Sequence, residues 1–297
     1  MSDPDCVSFL QWALPRLRLR WSGFRKVRGQ VCKRIRRRSR ALGLPDLEAY
    51  RIYLEAHPEE WPMLDELCRV TISRFRRDRA VFAALEHEVL PVLARRAATD
   101  RRDLAVWSAG CASGEEPYTL ALVWEFALAR AHPRVGLHVL ATDLDATMLE
   151  RARAARYEAG SLRDLPDDWL RRGFAADDGR FRLRPELQRR VALLRHDVRN
   201  GAPDGPFDLV LCRNLAFTYF EPALQRQVAG TFADCVRPGG ALVVGAHESL
   251  PEHVEGFVPW PGARCVYRKT AAARGVQCRG LSLEGDRANP HYGVPRP

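Results

Sequence analysis

The stretch WSAGCASGEEPY, residues 107–118, sets Ser108, Ala109, Gly110, Ala112, Ser113 and Gly114 just ahead of two carboxylates and a proline. Small side chains let a backbone pass close to a ligand, and Pro117 can open a helix where its missing N–H costs no hydrogen bond. The spacing is not G-x-G-x-x-G, and no Gly-Lys-Ser/Thr follows to make a phosphate-binding loop. Glu115 and Glu116 are wrong for a pyrophosphate and right for a ligand bearing an amino group or another cation. Two more acids end apolar runs, Asp143 in LATDLD and Asp197 in LRHDV. The first suits a pair of ribose hydroxyls, and the second the amino group of an adenine. A cation, a ribose and an adenine without phosphates describe S-adenosylmethionine.

These acids act together only if one scaffold brings them to one place. From about residue 103, LAVWSAG, LHVLATD, VALLRHD, FDLVLCRN and GALVVGAHE read as strands buried on both faces, separated by helical stretches such as PYTLALVWEFALARA and ALQRQVAGTFADCV. That order predicts an α/β fold with a doubly wound parallel sheet, in which ligands bind beyond the carboxyl ends of the strands. Residues 157–190 are too long for a connecting loop and predict a small inserted subdomain, with FRLR placed to pair with VALL. The domain plan is therefore a helical region over 1–80, a ligand-binding domain over 81–270 with an insert at 157–196, and a flexible tail over 271–297.

In the helical region Phe24, Val27, Val31 and Ile35 recur at helical spacing, Gly43 and Pro45 stop that helix, and Asp46 is placed to cap the next one over Leu47, Tyr50 and Leu54. A further helical pattern runs from Trp61 to Cys68. The chain of 297 residues carries a formal charge of +10, and residues 1–80 hold 18 Arg and Lys against 10 Asp and Glu. Twelve basic residues and no acid lie between Arg16 and Arg40, a face that attracts an acidic protein surface or a polyanion. Aromatic residues are not interleaved with these arginines, which disfavours nucleic acid. The eight cysteines show no metal spacing and read as reduced, mostly buried thiols, so no metal is expected. No apolar run is long enough to span a bilayer and the first residues are unlike an export signal, so a cytoplasmic monomer without membrane insertion is the expectation.

The strings SAGCASGEEPYTLAL, ATDLD, FDLVLCRN, TYF and GGALVVGAHESL resemble the chemotaxis receptor methyltransferases of the CheR type, from about residue 20 to residue 269. The resemblance implies a Rossmann-like class I methyltransferase sheet with an N-terminal helical domain and an inserted β-subdomain. It also implies methyl transfer from S-adenosylmethionine to receptor glutamates, leaving S-adenosylhomocysteine. Carried over by motif, it implies cofactor contacts from Glu116, Asp143, Asp197, Arg213 and Asn214, alongside Gly110 of the small-residue turn. The family's Thr-Asn-x-Thr-x-Phe-Phe-Arg segment reads here VTISRFRRD. Thr71, Ser73 and Arg77 thereby fall at the methionine end of the cofactor, with Thr71 in place of asparagine and Arg76 in place of the second phenylalanine. Arg77 and Tyr219 are the residues expected to orient the acceptor. Four residues precede Tyr219 after the Arg-Asn pair, where the family has three, and the insert is somewhat short. The basic N-terminal face then suits an acidic helical substrate such as a chemoreceptor cytoplasmic domain. Methylation of a small carboxylate or of nucleic acid, and a catalytically altered recruitment module, are the alternative readings.

Overall fold

The computed structural model describes residues 3–252 and 254–270. Ten strands form in chain order: β1 (Leu104–Ala109), β2 (Leu137–Asp143), β3 (Arg156–Tyr157), β4 (Phe174–Asp177), β5 (Arg180–Leu183), β6 (Val191–Arg195), β7 (Phe207–Leu211), β8 (Val236–Val243), β9 (Phe257–Pro259) and β10 (Val266–Lys269). Seven of them make one sheet in the order β6-β2-β1-β7-β8-β10-β9. Its first five members pair in parallel, while β10 runs antiparallel to both β8 and β9. The chain winds outward through β2 to β6, then returns to the other side of β1 with β7. The order thus reverses between β1 and β7, which opens a crevice at their carboxyl ends. Every residue of β7 and all but one of β1 are buried, because both faces of a parallel sheet are covered. This is a doubly wound, Rossmann-like arrangement with an antiparallel edge.

Five α-helices make up the helical region: α1 (Asp3–Arg16), α2 (Trp21–Phe24), α3 (Arg28–Ala41), α4 (Leu47–Ala56) and α5 (Trp61–Cys68). Val31 and Ile35 supply the buried stripe of α3, and Gly43 at φ +74° ends it, with Leu44 N–H donating to Ser39 O. Asp46 caps α4 by accepting from Ala49 N–H at 2.8 Å, and Leu47, Tyr50 and Leu54 of α4 are buried. Arg38 of α3 grips both oxygens of Glu60 at 2.8 and 2.7 Å, and the buried Tyr50 hydroxyl donates to the same carboxylate. The Arg38 hydrogen bonds hold the Glu60 carboxyl below its ordinary pKa, and burial pushes the Tyr50 phenol well above its own. These helices do not own a separate core. Leu10, Phe24, Val31 and Leu64 share one apolar cluster with Trp107 of β1, Phe217 and Phe232. On the opposite face of the sheet pack α6 (Arg79–Ala84), α7 (Leu90–Thr99) and α8 (Glu115–Val123).

The insert contains a three-stranded antiparallel sheet, β3-β5-β4. FRLR falls mainly in β5, between β3 and β4, but its expected partner VALL lies elsewhere. Those residues are β6, the edge of the main sheet, paired in parallel with β2. A four-residue apolar run has the same pattern in either setting, so periodicity alone cannot choose. The cysteines give a second correction: Cys6 and Cys32 form a disulfide with Cα atoms 6.1 Å apart. They are 26 residues apart in the sequence, on α1 and α3, and only tertiary packing faces them. Cys68, Cys111, Cys212 and Cys235 are buried thiols that take no part in a disulfide. The tail over 271–297 lies outside the described residues. Among the described residues no helix is long and apolar enough to cross a membrane, and no cluster of metal-ligating side chains occurs.

Candidate active site

A cavity opens where the strand order reverses, and its walls come from the ends of β1, β2, β6 and β7, from α5 and from the segment 69–77. Glu116, Asp143 and Asp197, from the tips of three neighbouring strands, line it together. Thr71, Ser73 and Arg77 enter from the helical side, and Gly110, Arg213, Asn214 and Tyr219 complete the wall. Arg76 is turned away: it pairs with Glu86 at 3.1 Å and covers the Trp169 ring.

The turn after β1 is built from three residues in the left-handed region, Gly110 (φ +81°), Ala112 (φ +46°) and Gly114 (φ +91°). Such backbone costs a residue with a Cβ more than it costs glycine. Asp143 holds Ala112 there by accepting its N–H at 2.8 Å, while its second oxygen accepts from Asp145 N–H at 2.9 Å. Burial raises the Asp143 pKa, against the pull of these two donors.

The two glutamates that open α8 part ways. Glu115 is buried against Ser113 and Ser161, the latter in the insert, and does not line the cavity. The expectation of two carboxylates for a cation therefore holds for Glu116 alone, because consecutive helix positions point to different sides. Glu116 accepts from the Ser108 hydroxyl at 2.8 Å and from Arg213 at 3.1 Å. Arg213, buried over the Phe82 ring, also donates to Asp78 and to the Arg77 carbonyl, both at 2.8 Å. One guanidinium thus serves two carboxylates.

Arg77 donates to Ile72 O at 2.7 Å and to Asn214 Oδ1 at 3.3 Å. Asn214 adopts φ +56°, and its N–H donates to Glu248 at 2.8 Å. Glu248 also accepts from Gly245 N–H and from the Thr218 hydroxyl. The sequence shows an acid after GALVVGA but not that it ties the loop from Asn214 to Thr218. His247 beside it is exposed. The four residues before Tyr219 are accommodated by a single helical turn, Ala216–Tyr219. Burial raises the Tyr219 pKa, with Arg77 opposing, so the phenol is neutral at physiological pH.

At the far end Asp197 is held by Arg199, whose guanidinium also meets both oxygens of Asp65 on α5 at 2.8 and 3.0 Å. Both partners line the cavity. No spacing rule links residues 134 positions apart, so the sequence did not mark Asp65. Cys111 and Cys212 are fully buried at strand ends, and burial pushes both thiols far above their ordinary pKa, which suits packing and not nucleophilic attack.

The family profile described as "CheR methyltransferase, SAM binding domain" matches residues 71–264. The chain belongs to the CheR methyltransferase family. A chemotaxis protein methyltransferase of Listeria innocua is 34% identical over 191 residues, covering 63% of this chain and 70% of that protein. One from Salmonella typhimurium is 32% identical over 238 residues, 77% of this chain and 79% of its own length. An uncharacterized 104.1 kDa protein of Rhodobacter capsulatus is 34% identical over 229 residues; there the match spans 77% of this chain and only 24% of the relative. S-adenosylmethionine is thus the cofactor of this CheR-family chain, and the cavity gathers acids from three neighbouring strand ends with no phosphate-binding loop in the sequence.

Proposed function

We propose that this chain transfers the methyl group of S-adenosylmethionine to glutamate carboxylates of an acidic helical protein, the cytoplasmic domain of a chemoreceptor or one like it. The observation that carries the reading is the meeting in one cavity of Glu116, Asp143 and Asp197 with Arg77 and Tyr219. In this reading Glu116 faces the amino-acid end of the cofactor, Asp143 the ribose and Asp197 the adenine. Gly110, Thr71, Ser73, Asn214 and Arg213 shape the wall around them. When bound, the cofactor supplies a methyl carbon made electrophilic by its sulfonium.

The chain's own work is alignment. A glutamate side chain, with a pKa of about 4.3, is ionised at neutral pH, so no residue must take a proton from it. Arg77 attracts the acceptor carboxylate, and the neutral Tyr219 phenol donates a hydrogen bond that fixes its direction. Both are partly buried, so the carboxylate sheds water as it enters, and attack and leaving groups are held in line. Arg25, Lys26, Lys33, Arg37 and Arg40 are exposed on and beside α3 and form the docking face for an acidic helix. We place the protein in the cytoplasm as a monomer, although the Cys6–Cys32 disulfide is unusual for that compartment.

The test is transfer of labelled methyl from S-adenosylmethionine to a receptor cytoplasmic fragment. A base-labile product that is lost in Arg77→Ala is the expected result. Base-stable label on nitrogen, or no binding of S-adenosylhomocysteine by calorimetry at high micromolar concentration, would overturn the reading.

A further inference from the structure

The single turn Ala216–Tyr219 carries the acceptor-orienting phenol and ends abruptly, since Phe220 adopts an extended backbone at φ −77°, ψ 151°. A helix end leaves its last carbonyls without partners, and Pro222, two residues on, has no N–H to offer. Arg20, from the link between α1 and α2, answers three consecutive carbonyls. Its backbone N–H donates to Tyr219 O at 2.8 Å, its Nε to Thr218 O at 3.0 Å, and its Nη2 to Phe217 O.

The surrounding contacts keep Arg20 in register. Glu221 N–H donates to Arg18 O at 2.9 Å, Leu19 and Phe220 form an antiparallel bridge, and Arg18 pairs with Glu221 at 3.0 Å. Gly23 allows the close approach, because a Cβ there would stand 2.2 Å from Thr218 O and 3.2 Å from Tyr219 Cα. The Phe24 ring meets the Tyr219 ring edge-on at 5.1 Å. On the opposite side Glu248 fixes the Thr218 hydroxyl and Asn214 N–H.

We propose that Arg20 is a positioning residue for Tyr219, a guanidinium cap through which the N-terminal helices set the place of the active-site phenol. The cap also accounts for the spacing of this chain. An additional residue between Asn214 and Tyr219 is taken up as a helical turn, and a turn needs an acceptor-side cap that an extended link does not. A positive group at a helix carboxyl end is favourable besides. The inference rests on the reading of Tyr219 as acceptor-orienting, so its test includes a measurement that needs no acceptor.

Amide hydrogen exchange of the full chain supplies it. Thr218, Tyr219, Phe220 and Glu221 N–H groups are all hydrogen-bonded, to Leu215, Leu215, Ala216 and Arg18 carbonyls. In Arg20→Ala these four amides are expected to exchange about tenfold faster or more while the strands β1 and β7 keep their protection. Arg20→Lys, which keeps the charge but loses the fork, falls between, and Gly23→Ala loosens the same peptide from its other contact. With a receptor cytoplasmic fragment as acceptor, kcat drops about tenfold or more in Arg20→Ala while S-adenosylhomocysteine affinity stays within about threefold. The exposed Arg134→Ala, a charge control, moves neither readout. Unchanged exchange at 218–221, or exchange raised equally across the sheet, overturns the proposal, as does a kcat within about twofold of wild type. If the wild type itself does not methylate the fragment, the glutamate reading falls, and the exchange result still decides the cap.

Discussion

Asp65→Asn removes one charge from the row Asp65–Arg199–Asp197, the link between α5 and the tip of β6. The two guanidinium nitrogens of Arg199 stand 2.8 and 3.0 Å from the Asp65 oxygens, and the side chains of Arg199, Asp65 and Asp197 are only 23%, 15% and 17% exposed. Charge centres about 4 Å apart attract by about 4 kcal/mol at an effective dielectric constant near 20. Desolvation and the remaining exposure offset part of that, which leaves about 2 kcal/mol, within the range of hydrogen bonds to charged groups. Breaking a fully buried pair costs about 3–5 kcal/mol because one charge is stranded. Arg199 is not stranded here, since Asp197 still accepts from its Nε at 2.9 Å. Urea unfolding of wild type, Asp65→Asn, Arg199→Met and the double variant should give a coupling of about 1.5–2.5 kcal/mol. The same Asp65→Asn variant should bind S-adenosylhomocysteine about fivefold more weakly, because the row closes one wall of the cavity. Glu48→Gln, an equal charge change on the exposed side of α4, should not. A coupling below about 0.5 kcal/mol, the scatter of independent sites, would refute the account of this bridge.

Arg77→Ala should lower kcat about a hundredfold and shift S-adenosylhomocysteine affinity less than about threefold, checked by steady-state kinetics and calorimetry. Binding of S-adenosylhomocysteine should weaken as pH falls through the Asp143 titration, because the ionised carboxylate is the better acceptor for ribose hydroxyls. Burial raises that pKa from its ordinary 3.8, so the weakening begins at a higher pH than for an exposed aspartate, and Asp143→Asn should abolish it in pH-dependent calorimetry. Glu248→Gln leaves one acceptor oxygen for three donors, and should cost about 2 kcal/mol in thermal or urea unfolding together with a fall in kcat.

Much of the scaffold was legible because buried parallel strands are continuous apolar runs and the turns at their tips must use small residues. LAVWSAG, LHVLATD and FDLVLCRN became β1, β2 and β7, and the acids that end the strands lie around one cavity as their order required. Asp46 was readable as a cap for the same reason: capping is local, three residues long, and independent of the rest of the fold. What was not legible depends on pairs with no local rule. VALL had a choice of partners, Cys6 and Cys32 meet only through the packing of α1 on α3, and Asp65 reaches Arg199 across the two halves of the molecule.

The arginine run shows how such pairs alter a functional reading as well as a structural one. Counted in the sequence, Arg16 to Arg40 is a single basic face. In the fold, Arg18 is tied to Glu221, Arg20 to the Phe217, Thr218 and Tyr219 carbonyls, and Arg38 to Glu60. Their positive charge holds the helical region to the turn Ala216–Tyr219 and to itself, and the exposed basic residues of that stretch are Arg16, Arg18, Arg25, Lys26, Lys33, Arg37 and Arg40, of which Arg18 is already paired with Glu221. A charge count over a segment therefore overstates the field a partner meets. Two of the arginines it miscounts, Arg18 and Arg20, hold the link between α1 and α2 against the turn that carries Tyr219 and the residues after it.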